Sequence, residues 1–325
     1  MGAGQLELFA AQRSQERSPG DDAHTRALAE RLPRGVHLGT SSWSFAGWRA
    51  IVWPDDPRWT ADRCAREGLA IYAQHPLLRT VGIDRSYYGP IPAIELARYA
   101  AQLPPGFRAV SKAWEGLVSE RVATKTTAVG ACFLDIDTLE REVLAPYREA
   151  FLEHAGPLVF EFPAERRDVA RFTPALTSFL RVAVARAAPM PLAVELRDRR
   201  LLTDDIARGI ASSGVAFCFN FHPTMPSIAT QLAWAEARGL LEPSGPPLVA
   251  RVMLPPGTSY EVRKRDLAPF DRIADAQEEM RRDVVALCAR AVRAARELFI
   301  VVNNKAEGCA PLTVRALAER IAVGA

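Results

Sequence analysis

Short, β-rich apolar runs alternate with longer helical patterns along nearly the whole chain, and there are eight of them. They read Val36–Ser41, Leu78–Ile83, Phe107–Lys112, Pro157–Phe162, Leu192–Arg197, Val215–His222, Leu248–Leu254 and Leu298–Asn304. Most are almost continuously apolar, the signature of strands covered on both faces. Between them lie helical stretches with start signals: Thr60 before a helix through Tyr72, Pro92 opening one through Gln102, Thr138 before one through Leu152, and Thr203 before one through Ala211. Further helices are predicted over Val169–Val184, Ser227–Arg238, Phe270–Arg296 and Leu312–Ile321. Eight strand–helix units within 325 residues predict a (β/α)8 TIM barrel of parallel strands. A doubly wound open sheet should carry a GxGxxG-type fingerprint in its first turn, and Gly39-Thr40-Ser41-Ser42-Trp43 is not one. The expected organisation is one barrel domain over residues 35–325. Residues 1–34 read as a polar, mostly flexible arm with one short helix around Ala23–Leu32.

Composition agrees with a folded, non-membrane chain. Hydrophobic residues make up 49% and charged residues 24%, which is neither disordered nor fibrous. No apolar run reaches the roughly 18–20 residues of a membrane span. Gln5, Glu7 and Gln12 stand where a signal peptide would carry positive charge and then an apolar stretch, so a cytoplasmic protein without membrane partners is expected. The five cysteines are scattered without CxxC pairing, which indicates neither a disulfide framework nor a zinc cluster. With a net charge of only +3, overall charge does not single out a polyanionic partner.

In a (β/α)8 barrel, chemistry gathers where strands end and loops begin at the C-terminal face. Read at those positions, the sequence nominates Lys112, Glu161, Glu195, His222 and Asn303 as catalytic candidates. Trp43, Asp84, Tyr87, Arg197, Arg251, Lys264, Asn304 and Lys305 are the substrate-binding candidates. Apolar strands ending repeatedly in ionisable groups suggest a shared pocket rather than a core. Only four lysines occur, Lys112, Lys125, Lys264 and Lys305, and all fall at strand ends or in loops of that face. Arg263-Lys264-Arg265 reads as a cationic cluster in the loop after strand 7, suited to an anion. Glu195 with Arg197 also fits a buried structural ion pair, and Trp43, Trp48, Trp53 and Trp59 fit either a stacking platform or the packing of a long loop. No HxxE, HxH or HExxH spacing occurs, so no cofactor is specified and no metal ligand is nominated; a tightly bound transition metal is not expected.

These strand-end segments resemble a known family. Gly39–Trp48 (GTSSWSFAGW) is similar to the GTSGWSYxxW opening of the YecE-like proteins, catalogued as domain of unknown function 72. Val81–Tyr88 stands where that family has VEINSTFY, Phe107–Lys112 matches FxFxxK, and Pro157–Pro163 resembles PLLFQLPP. Ala193–Asp198 resembles AVEFRH, and Val301–Pro311 resembles YFNNHxxGxAP. The resemblance implies a TIM barrel and no particular reaction. Departures are Gly82 for the family's Glu, Asp84-Arg85 for Asn-Ser, Glu161 for Gln, Asp198 for His, and Arg251–Leu254 for RLHG.

Outside the barrel, Gln5-Leu6-Glu7-Leu8-Phe9 is similar to the QLxLF peptide that docks bacterial replication and repair proteins on the sliding clamp. Gln5, Leu8 and Phe9 are the expected anchors, the alternatives being a short apolar segment that caps the bottom of the barrel or a chance match. Three functions compete. The first is an enzyme acting on a phosphate-bearing substrate, such as a phosphodiester hydrolase, with nucleic acid in DNA repair or replication as one such substrate. The second is a non-catalytic nucleic-acid-binding or clamp-associated accessory protein. The third is a sugar isomerase or glycosidase using Glu161 and Glu195 as paired carboxylates.

Overall fold

Continuous apolar runs can only be strands if helices cover their outer faces and side chains fill the space within, and the computed structural model of the chain meets both conditions. It describes residues 17–121, 130–165 and 167–324. Gln5, Leu8, Phe9 and Lys125 therefore lie outside the described residues. Eight strands form a closed, all-parallel barrel in chain order: β1 (Val36–Thr40), β2 (Thr80–Ile83), β3 (Ala109–Lys112), β4 (Ala155–Phe162), β5 (Leu192–Leu196), β6 (Ala216–Phe221), β7 (Leu248–Val252) and β8 (Leu298–Val302). β1 closes the ring on β8, with Val36 opposite Leu298 and Thr40 opposite Val302.

Inside the ring a small apolar cluster of Val110, Val159, Ala193, Ala216, Cys218, Val249, Phe299 and Val301 forms its own core. The outward residues of the same strands join the larger core beneath the helices. At the N-terminal ends, His37 stacks on Phe299 with ring centroids 4.5 Å apart, and Glu297 binds both His37 and Arg108. This end is plugged. The wall between β1 and β2 is closed by glycine. A Cβ on Gly39 would lie 1.9 Å from the Thr80 carbonyl oxygen, and one on Gly82 would lie 2.7 Å from that of Ser41. Only glycine lets these backbones approach so closely.

Helix starts follow the chemistry read from the sequence in several places. Thr60 and Thr203 accept from the amides of Arg63 and Ile206, capping Ala61–Tyr72 and Asp204–Ser213. Elsewhere the local signals misled. Asp135, not Thr138, caps the segment after β3, because its side chain is the one that accepts from the Thr138 amide. The helix expected over Phe270–Arg296 forms only as Glu278–Arg293, because Phe270 at φ 70° lies in a turn that no helix tolerates, and a separate helix, Tyr260–Leu267, precedes that turn. The short helix expected around Ala23–Leu32 does form, as Ala23–Glu30, and its Leu28 and Ala29 enter the core together with Leu32, so this part of the expected arm packs on the barrel.

The loop after β1 is fixed by its indoles. Trp48, Trp53 and Trp59 are fully buried, and Trp53 stacks on Trp59 at 5.5 Å and near Trp48 at 6.2 Å. Each such ring removes on the order of 200 Å² from water, about 5 kcal/mol of gross stabilisation. Three of the four tryptophans are therefore packing and not a stacking platform. The Trp48 indole donates to Asn304 Oδ1 at 3.1 Å, tying the loop after β1 to the one after β8. No helix among the described residues is long and apolar enough to cross a membrane.

Candidate active site

Because parallel partners share a face, the pairing of Glu161 with Glu195 across β4 and β5 aims two carboxylates at the same space inside the barrel. Side by side and ionised, they would repel. Two guanidinium groups bridge them instead. Arg251 Nη1, from β7, contacts both Glu161 Oε2 and Glu195 Oε2 closely, and its Nη2 reaches Asp84 Oδ1 at 3.1 Å. Arg197 contacts Glu195 through Nε and Glu161 through Nη2, each at 2.9 Å. Lys112, the last residue of β3, completes the set with Nζ 2.8 Å from Glu161 Oε2. Glu161 Oε2 thus faces three cations. Formally three positive groups, Lys112, Arg197 and Arg251, balance three negative ones, Asp84, Glu161 and Glu195.

Burial sets the electrostatics. Burial by itself works against the Glu161 charge, but Arg197, Arg251 and Lys112 more than offset it and hold the carboxyl well below the usual range. Lys112 is shifted the other way. Burial pushes its ammonium pKa down, Glu161 pulls it back, and neighbouring Arg251 pushes it down again. Its Nζ also sits 3.6 Å from the centroid of the Tyr87 ring, a cation–π contact that replaces part of its lost hydration. The Tyr87 hydroxyl is pushed upward, first by burial and then by Glu161. The cluster therefore holds one carboxylate whose charge is fixed and one ammonium whose proton is loosened.

The other sequence candidates are placed as follows. His222 is half-buried beyond β6, with Nδ1 2.8 Å from Thr224 Oγ1. Burial and then Arg197 push its pKa down to about 4, so the imidazole is neutral at pH 7. Asn303 donates from Nδ2 to Ser41 Oγ at 2.9 Å and accepts from the Lys305 amide at 3.0 Å. Asn304 is buried, and its carbonyl is spent on Trp48 and on the Ala310 amide. Lys305 is buried with Nζ over the Tyr260 ring at 4.0 Å and has no ion-pair partner among the described residues.

The expected cationic loop after β7 is not what forms. Arg263, Lys264 and Arg265 lie in the helix Tyr260–Leu267, not in a loop. Helical geometry sends neighbouring residues to different faces, so the three cations do not form one patch. Arg263 is buried, donating to the Lys305 and Ala306 carbonyls and pairing with Asp275 at 2.6 Å. Arg265 pairs with Asp266 at 2.7 Å, and Lys264 is exposed.

Beside the cluster a cavity of about 440 Å³ opens between the loops after β1 and β2. Asp84 belongs to both, and Trp43, Arg66, Arg85, Glu95, Arg98 and Tyr99 complete the charged and aromatic lining. Sequence reasoning passed over Arg66, Arg98 and Tyr99 because they come from helix bodies, away from any strand end. Among the described residues, no three His, Cys, Asp or Glu side chains gather in a way that could hold a metal ion.

The sequence model of a family described as "Protein of unknown function DUF72" matches residues 37–324. No curated protein matches the chain. Among solved structures, a DUF72 family protein of Thermotoga maritima MSB8 is 16% identical with a TM-score of 0.54, covering 88% of this chain and 97% of its own. One from Enterococcus faecalis V583 is 15% identical with a TM-score of 0.54, covering 87% of this chain and 95% of its own. At such identities the likeness is one of fold.

Proposed function

The chain belongs to the DUF72 family, whose description carries no reaction, and from the site itself we propose that it is an enzyme acting on a phosphate-bearing substrate at the barrel mouth. One observation carries this reading: a buried lysine with a loosened proton, Lys112, is held 2.8 Å from a carboxylate, Glu161, whose charge is fixed. That pairing supplies a proton-transfer group and a means of orienting it. Stability alone argues against keeping six charged groups there, since well-packed apolar residues serve a core at least as well. Arg197 and Arg251 lock the carboxylates and supply positive potential for charge that develops during reaction.

The phosphate class is supported by cations around the mouth that the protein leaves without carboxylate partners, namely Lys305, Arg66 and Arg98. In the glycosidase or isomerase reading Glu161 could serve only as base or nucleophile, because three cations keep its carboxyl ionised, and the acid would have to be Glu195, which Arg197 and Arg251 both bind.

The test is a turnover panel: p-nitrophenyl phosphate, its bis ester, sugar phosphates, nucleoside monophosphates and a short oligonucleotide, with and without added divalent cations. The folded wild type is expected to convert at least one. Lys112→Met and Glu161→Gln, checked for folding by circular dichroism, should each lower that rate by about 100-fold or more. No conversion of any compound, or full activity in both variants, overturns the reading.

A further inference from the structure

Phosphate sites in this fold commonly lie in the loops after strands 7 and 8. Here Arg263 is consumed by the Lys305 and Ala306 carbonyls and by Asp275, and Lys305, though it has no carboxylate partner among the described residues, is buried with its Nζ over the Tyr260 ring. The opposite side differs. Of the cations lining the cavity between the loops after β1 and β2, Arg85 is paired with Glu95, whereas Arg66 and Arg98 are exposed with no ion-pair partner among the described residues. The acidic residues of that lining are also taken. Glu95 is bound by Arg85 and accepts from the Tyr99 hydroxyl at 3.0 Å, and Asp84 is bound by Arg251. The cavity thus presents two uncommitted guanidinium groups, which matches the charge of one phosphate monoester dianion.

A second observation is independent of charge. Trp43 lines the same cavity, is 6% exposed, and its buried Nε1–H has no hydrogen-bond partner. Trp59 Nε1 is orphaned as well, deep in the packed loop, so what Trp43 offers a ligand is the ring in the cavity wall and not its enclosed N–H. Trp43 meets Tyr99 edge to face at 5.2 Å, and Ile83 and Ala65 add apolar lining. The geometry points to this cavity as the binding site for the phosphate end of the substrate, held by Arg66 and Arg98, with an apolar or planar group next to the phosphate lying against Trp43. Asp84, shared between cavity and cluster, sets the direction in which the rest of the substrate runs toward Lys112. This rests on the reading of the mouth as the reaction site, and it places the phosphate on the β1–β2 side and not after β7.

Phenyl phosphate, inorganic phosphate and phenol separate the contributions by titration calorimetry on the full chain. Phenyl phosphate should bind at least about tenfold more tightly than inorganic phosphate, and phenol should not bind measurably. Arg66→Ala/Arg98→Ala should weaken phenyl phosphate by about tenfold or more and flatten its salt dependence, while Arg181→Ala, an exposed arginine on another helix, should change neither. Trp43→Phe should weaken phenyl phosphate and leave inorganic phosphate as it was. Lys112→Met should retain phenyl phosphate. Absence of binding, or equal binding by the double arginine variant, overturns the assignment. If Lys112→Met abolishes binding and the arginine variant does not, the phosphate lies in the mouth, so the cavity assignment falls and the enzyme reading survives. If phenyl phosphate behaves as expected but the panel shows no turnover, the cavity stands and the enzyme reading falls.

Discussion

Removing Arg251 asks what holds the mouth together. The side chain is fully buried and contacts Glu161, Glu195 and Asp84, so Arg251→Met keeps much of the volume and takes away one positive charge from a balanced set of six. Two positive groups then face three negative ones, and Glu195 keeps only Arg197. Breaking a buried ion pair from one side costs about 3–5 kcal/mol, because the partner charge stays buried. For a chain of this size that corresponds to a fall in melting temperature of about 4–8 °C at pH 7. Restoring neutrality should recover part of the loss. Arg251→Met/Glu195→Gln again balances two positive groups against two negative ones and should be about 1–3 kcal/mol more stable than the sum of the single changes. Urea unfolding of the four proteins of this cycle, followed by circular dichroism, measures the coupling. Additive single changes, or an Arg251→Met variant as stable as the wild type, would refute the view that mutual neutralisation holds these groups.

Three further outcomes are expected. Gly39→Ala places a methyl group 1.9 Å from the Thr80 carbonyl and should cost about 3 kcal/mol or more, and a urea midpoint matching the wild type would show that β1 and β2 can separate freely. His75 and His222 are both held to pKa values of about 4, chiefly by burial, whereas the unfolded chain protonates them near pH 6.5. The folded state therefore binds fewer protons, and stability present above pH 6.5 is lost as pH falls toward 4, about 2 kcal/mol per histidine at pH 5; His75→Gln and His222→Gln should each shallow that loss, and an unchanged slope in both counts against it. Read as a clamp-docking segment, a peptide of residues 1–16 should bind the bacterial sliding clamp in the micromolar range, and Leu8→Ala/Phe9→Ala should abolish binding without shifting the melting temperature; a peptide that does not bind ends that reading.

Local pattern was enough for the barrel. Strand runs such as Phe107–Lys112 and Leu298–Asn304 are apolar because both of their faces are covered, and that property is written in consecutive residues. The same pattern located the ionisable strand ends at one face, which is why Lys112, Glu161, Glu195, Arg197 and Arg251 could be nominated together. Their charge states were a different matter. Asp84 and Arg251 stand 167 residues apart in the chain and meet only when the ring closes, and only that meeting makes the six charges neutral. Helix bodies hid the rest. Arg66 and Arg98 look like ordinary solvated arginines until two helices and two loops enclose a cavity between them, while Arg263, which looked free beside Lys264 and Arg265, turns inward to satisfy the Lys305 and Ala306 carbonyls. Sequence by itself determined the elements, their order and the end of the barrel where charge accumulates, because periodicity and burial act over a few residues. Tertiary structure alone decided which charges cancel and which remain for a ligand, because electrostatic partnership depends on distance in space and on shared exclusion of water.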